Sequence, residues 1–187
     1  VNTRLQVEHP VTEMITGLDL VEVMIRVAAG EQLPLDPSQL RFQGHAIEAR
    51  IVAEDTANDF APQIGTIYQM HVPDNVRWDS AIEAGSEISP HYDSLIAKLI
   101  VHGTNRDEAL TKMRRALDML IIDGVTTPAG FQRWLLAQDP IVEGRVTTRF
   151  LDENPIAASS PSDVAATLTA GAIGWGQSVD QAGDGSS

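Results

Sequence analysis

The chain opens with a stretch of alternating polar and apolar residues. Its apolar positions are Leu5 and Val7, and its polar positions are Asn2, Arg4, Gln6 and Glu8. A period of two is typical of a β-strand, because successive side chains of a strand point to opposite faces. We therefore predict a strand over residues 1–8.

Helical patterns follow this stretch. Residues 12–15 predict a short helical turn closed by Gly17. Asp19 can cap a helix that runs to about Ala29, because its carboxylate can accept hydrogen bonds from the free N–H groups of the first turn. Residues 31–43 contain prolines and lack a regular period, so we predict a loop there.

The middle of the chain returns to the period of a strand. Strands are predicted over residues 45–54, 66–72, 76–80 and 94–102, with Pro, Gly, Asp and Asn residues in the turns between them. The apolar run at 95–101 also fits a helix, because periodicity alone does not separate a buried strand from a short buried helix. Both interpretations of that run stay open here.

A strongly amphipathic helix is predicted next. Asn105 and Glu108 have the spacing of a capping box, and apolar residues at helical spacing continue to Leu120. The pattern therefore predicts a helix that begins directly after Asn105 and buries one face.

The last patterned residues contain a turn, a helix and an extended segment. Gly124 predicts the turn, and Pro128 opens a helix through about Ala137. Residues 144–151 predict a final strand or extended segment. The fold class that follows is α+β, with a mostly antiparallel sheet flanked by helices.

Composition and charge narrow the possible partners. Of 187 residues, 43% are hydrophobic and 21% are charged, as in folded globular proteins. Acidic residues outnumber basic ones by 26 to 13, so we expect no nucleic acid and no membrane as a partner, because both bind basic surfaces. The absence of cysteine excludes disulfides, thiolate metal sites and cysteine nucleophiles.

The polar side of the predicted first strand could bind a small planar oxyanion. Arg4 can hold two of its oxygens, Gln6 can fix its orientation, and Glu8 can remove a proton from it. The alternative is that this row is the solvated face of an edge strand.

The order of these residues favours the functional interpretation. Residues 2–20, NTRLQVEHPVTEMITGLDL, resemble the signature of biotin-dependent carboxylases, in the biotin carboxylase component of the ATP-grasp superfamily. Further matches occur in the same order: GHAIEARIVAED at 44–55, VRWDS at 76–80, HYDSLIAKLIVHG at 91–103, NRDEAL at 105–110 and IIDGVTT at 121–127. Other ATP-grasp enzymes, such as carbamoyl phosphate synthetase, share the Asn-x-Arg start but lack QVEHPVTE. The resemblance covers about residues 1–153.

The resemblance implies roles for particular residues. Arg4, Gln6 and the main chain of Val7 match bicarbonate-binding positions. Glu8 matches the general base that deprotonates bicarbonate, and Arg50 matches the residue that stabilises the enolate form of biotin. Both side chains are also expected to border the bicarbonate and biotin sites.

Three further residues receive weaker assignments from the same resemblance. Asn2 matches a position close to the metal in the ATP-grasp enzymes. Arg77 and Asp93 match segments at or near the dimer contact of bacterial members, with ion pairing inside the chain as the alternative.

Enzymes of this family use ATP and Mg²⁺ (or Mn²⁺) to phosphorylate bicarbonate, and then carboxylate a biotin attached to a carrier domain. The resemblance therefore implies these cofactors, and a biotin carboxyl carrier domain, a carboxyltransferase subunit and a second copy of the C-terminal domain as partners. We expect an acyl-CoA carboxylase α subunit, with a pyruvate or urea carboxylase as alternatives. The expected location is the cytoplasm, or the mitochondrial matrix in a eukaryote.

The resemblance also predicts the domain organisation. We expect residues 1–30 to end an ATP-grasp domain with its last strand and helix, residues 31–153 to form a biotin carboxylase C-terminal domain, and residues 154–187 to be a linker or disordered tail. The family's glycine-rich ATP lid and metal-binding carboxylates would precede Val1, so we expect a fragment. The alternative is a non-catalytic scaffold for dimerisation or docking.

We predict that the purified 187-residue chain does not hydrolyse ATP on its own. Its sequence contains no glycine-rich loop of the kind whose backbone N–H groups hold phosphates. The measurement is phosphate release from ATP with and without bicarbonate and free biotin. Release that depends on bicarbonate and rises with biotin would contradict the prediction.

Overall fold

A computed structural model describes residues 1–36 and 38–154. The chain divides into two compact units, Val1–Thr147 and Thr148–Ser187. The predicted linker over 154–187 lies outside the described residues except for Asn154. No helix in the described ranges has the length and apolar character needed to cross a bilayer.

The first unit combines helices with short antiparallel sheets. Its helices are α1 (His9–Thr16), α2 (Leu20–Ala28), α3 (Arg106–Met119), α4 (Ala129–Leu136) and α5 (Asp139–Val142). Its strands are β1 (His45–Val52), β2 (Glu54–Asp55), β3 (Ala61–Pro62), β4 (Gly65–Thr66), β5 (Gln69–His71), β6 (Arg77–Ser80), β7 (Glu87–Ile88), β8 (Leu95–Gly103) and β9 (Ile121–Asp123). The main sheet has the order β1-β8-β6, and smaller pairs form between β2 and β3, β4 and β7, and β5 and β9. Every one of these pairings is antiparallel, which confirms the predicted α+β class.

The apolar run around residues 95–101 is a strand. β8 is the central strand of the main sheet and pairs with β1 on one side and β6 on the other. Helices α1 and α3 both contact it. Its residues are therefore apolar at successive positions, as expected for a strand covered on both faces.

The core lies between the main sheet and α3. Ile51 and Leu99 of the sheet and Met113 of α3 are fully buried in one cluster. Helix α3 begins as its capping pattern predicts, because the Asn105 side chain accepts a hydrogen bond from the Glu108 N–H at 2.9 Å. Lys112 and Thr104 bind the Glu108 carboxylate and hold its pKa at about 2.

The predicted strand over residues 1–8 is wrong. These residues form no strand, and a turn leads from them into α1. In this turn the His9 N–H donates to the Gln6 carbonyl and the Val11 N–H donates to the Glu8 carbonyl, each at a distance of 3.1 Å. A strand needs a neighbour to pair with, and within the described residues none pairs with this segment. The helix predicted from Asp19 is confirmed, since Asp19 caps α2 by accepting from Glu22 N at 2.8 Å.

Two other predicted strands change. The strand over 66–72 is split into β4 and β5, which pair with different partners, β7 and β9. The strand or extended segment over 144–151 is not a strand in the structure. In the second unit, Phe150–Glu153 forms a short helix, α6. Short strands of two or three residues are set by their tertiary partners, which local periodicity does not reveal.

Replacing Gly124 by alanine should destabilise the chain more than replacing Gly30. Both glycines have positive φ, at +112° and +89°, which costs a side-chain-bearing residue about 1–3 kcal/mol. A Cβ at Gly124 would also lie 1.9 Å from the Thr66 carbonyl oxygen, whereas Gly30 faces open space. The measurement is the free energy of unfolding in urea for both variants, and equal losses would contradict the prediction.

Candidate functional site

Six of the first eight residues line an open cleft of ≈ 270 Å³. Its walls are formed by Asn2, Arg4, Leu5, Gln6, Val7, Glu8 and Arg50. The turn before α1 therefore places both the polar and the apolar residues of this segment at the cleft, and the predicted separation into two faces is absent. The resemblance's bicarbonate-binding residues and Arg50 are nevertheless brought together.

Arg50 and Glu8 form an ion pair at this cleft. The Arg50 Nη2 atom lies 2.7 Å from Glu8 Oε2, and both side chains are 53% exposed. An exposed pair of this kind contributes at most about 1 kcal/mol to stability. Because both side chains are half-exposed, a ligand can reach them. Because the pair contributes so little, the stability of the fold depends little on it.

The main chain at Arg50 is anchored from the other side. Arg50 lies in β1, and its carbonyl oxygen accepts a hydrogen bond from the Gln132 side chain of α4 at 2.7 Å. Sequence reasoning did not find Gln132, because its link to Arg50 crosses 82 positions of the chain. This hydrogen bond links α4 to β1, the strand from which the Arg50 side chain projects.

One face of the main sheet carries a row of charged side chains. Directly opposed residues of antiparallel strands share a face, and the register places Arg50 opposite Lys98 and Lys98 opposite Asp79. Glu48 lies two residues before Arg50 in β1, and Arg77 lies two residues before Asp79 in β6, so both share this face as well. The cleft's Arg50 is thus one end of a charged row that crosses the sheet.

Arg77 is bound by carboxylates of its own chain. Two of its guanidinium nitrogens lie 2.9 Å from the two oxygens of Asp79, and a third lies 2.7 Å from Glu13 of α1. Glu13 is only 8% exposed and also accepts a hydrogen bond from the Leu20 N–H at 2.8 Å. The guanidinium holds the pKa of Asp79 below its ordinary value. The structure therefore ties Arg77 into the fold of this chain, and its assignment to a dimer contact stays a prediction.

Asp93 lies beside a second cavity of ≈ 570 Å³ that shares Val7 and Arg50 with the first. Its Oδ1 atom accepts a hydrogen bond from the Leu95 N–H at 2.8 Å, which orients the turn before β8. Tyr92, 85% exposed, lines the same cavity. The assignment of Asp93 to a dimer contact likewise stays a prediction.

Glu48 is a partly buried acidic residue on this face. Both of its carboxylate oxygens are buried, and neither has a hydrogen-bond partner among the described residues. Burial raises the pKa of Glu48, and the positive charges of Lys98 and Arg50 oppose that rise. Glu48 and Lys98 were missed as site residues because only the register of β1 and β8 places them beside Arg50.

The residues present do not make a metal site by themselves. Within 1–36 and 38–154, no group of three or more His, Asp or Glu side chains is arranged to hold an ion. Asn2 borders the cleft and offers one amide oxygen, whereas Mg²⁺ is held by several oxygen ligands. His9 directs its Nδ1 to the Gln6 carbonyl at 2.8 Å.

The arrangement can bind an anion and move a proton. Arg4 forms no hydrogen bond or ion pair within the part of the chain that the structure describes, so its guanidinium is available to a ligand. Arg50 supplies a second guanidinium, and Glu8, which contacts Arg50 and lines the same cleft as Arg4, is a proton acceptor. Small planar oxyanions such as carbonate species match this donor set.

Comparison with known proteins agrees with this geometry. Residues 48–153 match the biotin carboxylase C-terminal domain, and residues 1–36 match the carbamoyl-phosphate synthase L chain, ATP binding domain. The resemblance found in the sequence motifs is thereby confirmed.

Individual relatives support the same grouping. The chain is 48% identical to the 2-oxoglutarate carboxylase small subunit of Hydrogenobacter thermophilus, over 82% of this chain and 33% of the relative. It is 45% identical to Biotin carboxylase 1 of Bacillus subtilis, over 84% of this chain and 36% of the relative. A solved biotin carboxylase domain of a thermophilic 2-oxoglutarate carboxylase bound to bicarbonate has a TM-score of 0.80 at 48% identity, with 82% of this chain and 35% of that chain covered. The chain spans about a third of the length of these relatives. It belongs to the biotin carboxylase C-terminal domain family.

Proposed function

We propose that this chain forms the bicarbonate- and biotin-binding part of a biotin carboxylase. The complete enzyme would carboxylate a carrier-bound biotin with bicarbonate and ATP through carboxyphosphate. The observation that carries the proposal is the 2.7 Å contact between Arg50 and Glu8, residues 42 positions apart, at a cleft that Arg4 and Gln6 also line.

In the first step, Glu8 would take the proton of bicarbonate. The bicarbonate oxygen then attacks the γ-phosphorus of ATP, a new P–O bond forms, and the bond to ADP breaks. Arg4 and Gln6 line the same cleft as Glu8 and would hold the anion during this attack. Their role is electrostatic, because guanidinium and amide donors stabilise charge that develops on oxygen.

In the second step, Arg50 would stabilise negative charge on the ureido oxygen of biotin as N1′ loses its proton. N1′ then bonds to the carboxyl carbon, the C–O bond of carboxyphosphate breaks, and the departing phosphate takes the N1′ proton. The guanidinium must turn from Glu8 toward biotin for this role. Its half-exposed position and the weak net energy of exposed pairs allow that turn.

ATP and Mg²⁺ (or Mn²⁺) belong to the proposal for the complete enzyme. A solved biotin carboxylase dimer of the Hydrogenobacter enzyme contains MgADP, ADP and bicarbonate. In the present chain Asn2 would contribute at most one ligand, so no step is assigned to a metal held by these residues.

The proposed partners are a biotin carboxyl carrier domain, a carboxyltransferase subunit and a second copy of the chain. Relatives named for propionyl-CoA, methylcrotonoyl-CoA, pyruvate and 2-oxoglutarate carboxylases are 45–48% identical to this chain. Because these values are so close, the α subunit of an acyl-CoA carboxylase stays a prediction, as does a cytoplasmic or mitochondrial location.

Replacing Glu8 by glutamine should abolish most biotin carboxylation. Glutamine preserves shape but accepts no proton, and loss of a general base costs about 10²- to 10⁴-fold in rate. The measurement is fixation of labelled bicarbonate onto free biotin by the enzyme as its own gene expresses it. Glu22→Gln is the matched control, because Glu22 forms a similarly exposed pair with Arg26 on α2. Equal rates in the Glu8 and Glu22 variants would contradict the role.

Replacing Arg50 by alanine should reduce biotin carboxylation more than bicarbonate-dependent ATP cleavage. If Arg50 acts mainly in the second step, carboxyphosphate still forms and decomposes without reaching biotin. The measurement is the ratio of carboxybiotin formed to ADP formed, compared with an Arg26→Ala control. A ratio that matches that of the control would contradict the assignment of Arg50 to the second step.

A further inference from the structure

Lys98 lies beneath the segment that lines the cleft. It projects from the central strand β8 and is only 13% exposed. Its Nζ atom lies 3.4 Å from the Val7 carbonyl oxygen and 3.3 Å from Asp79 Oδ2. One ammonium group has three donors, so Lys98 serves both acceptors and joins the sheet to the Gln6–Glu8 turn.

The carboxylate on the other side of Lys98 is rigidly held. Arg77 binds both oxygens of Asp79 at 2.9 Å, and Arg77 is itself held by the buried Glu13 of α1. Two parallel N–H···O bonds fix the plane of a carboxylate as well as its position. The ammonium of Lys98 is therefore directed by a chain of contacts that leads back to the helix following the cleft segment.

Charges of both signs flank Lys98 on the neighbouring strands, Asp79 on β6 and Arg50 on β1. Lys98 stands directly opposite Arg50, and like charges at opposed positions of a sheet repel each other. Its neighbours along β8, Ala97 and Leu99, are buried and apolar. From this position in β8 the ammonium group reaches the Val7 carbonyl of the cleft segment.

We infer that Lys98 is a positioning residue for the bicarbonate site, which holds the Val7–Glu8 peptide through the Val7 carbonyl. This inference rests on the function proposed above. A peptide unit is planar, so fixing the Val7 carbonyl also fixes the direction of the Glu8 N–H and the position of the Glu8 Cα atom. Lys98 acts through this peptide and has no assigned contact with the substrate.

The competing interpretation is that Lys98 only neutralises Glu48. Glu48 lies on the same face, with buried oxygens and no hydrogen-bond partner among the described residues. A double variant separates the two, because E48Q/K98M removes both charges together. If neutralisation were the whole role, the double variant would regain the activity that K98M loses.

The kinetic test uses the enzyme as its own gene expresses it. K98M should raise the KM for bicarbonate by about 10- to 100-fold, because a displaced Val7–Glu8 peptide weakens the binding of bicarbonate in the ground state and the transition state alike. The KM for ATP should stay within about twofold of the wild type, because the inferred contact positions only the bicarbonate-binding peptide. K98R should recover most of the loss, and E48Q/K98M should not. An unchanged KM for bicarbonate in K98M, or full recovery in E48Q/K98M, would overturn the inference.

Lys112→Met is the matched control. Lys112 also donates to a main-chain carbonyl, that of His102 at 2.9 Å, and pairs with a carboxylate, Glu108 at 2.7 Å. It borders neither cavity that contains Arg50. Its replacement should leave the KM for bicarbonate unchanged.

Nuclear magnetic resonance of the backbone amides tests this inference separately from the proposed function. In the 187-residue chain, K98M and E48Q/K98M should shift the amide resonances of Val7 and Glu8, and Lys112→Met should not. If the wild-type enzyme fixed no bicarbonate, the proposed function would fail while these shifts still tested the contact. If the wild type were active and the Val7 and Glu8 resonances did not move in the Lys98 variants, the positioning role alone would fail.

Discussion

The antiparallel register between β1 and β8 is the constraint on which the site depends. It places Arg50 opposite Lys98 on one face, and Ile51 and Leu99 on the other face in the core cluster that includes Met113 of α3. A slip of one residue would exchange the two faces of β1, with Arg50 directed into the core and Ile51 into the cleft. Burial of Ile51 and Leu99 thus sets the direction of the guanidinium, although neither side chain touches it.

The charged face is held together by contacts of unequal strength. Arg77 is clamped between Asp79 and the buried Glu13, and this cluster links β6 to α1. The Arg50–Glu8 pair at the cleft is exposed and weak by comparison. The Arg77 cluster therefore supports the sheet beside the cleft, whereas Arg50 and Glu8 can exchange partners. Pre-organised sites need such firm support around the groups that act on a ligand.

Much of the fold could be predicted from local pattern, and much of the site could not. The Asn105 cap, the Asp19 cap and the strand β1 follow from spacing that involves neighbouring residues only. Alternation at residues 1–8 led to a strand because periodicity does not report whether a pairing partner exists.

The same limit applies to the site residues. Motif order singled out Arg50 and Glu8, but Lys98, Glu48 and Gln132 became visible only once pairing across many positions was known. Such contacts depend on register and helix packing, which a single sequence does not encode in any short window.

The Arg50–Glu8 contact also acts as an internal competitor. A ligand that binds either side chain must first separate the pair, so the energy of that separation is subtracted from the free energy of its binding. For an exposed pair that energy is below about 1 kcal/mol, which corresponds to no more than about fivefold in affinity. Without a ligand, Arg50 and Glu8 neutralise each other. Because their pairing is weak, an anion that binds Arg50 can readily displace Glu8 from it.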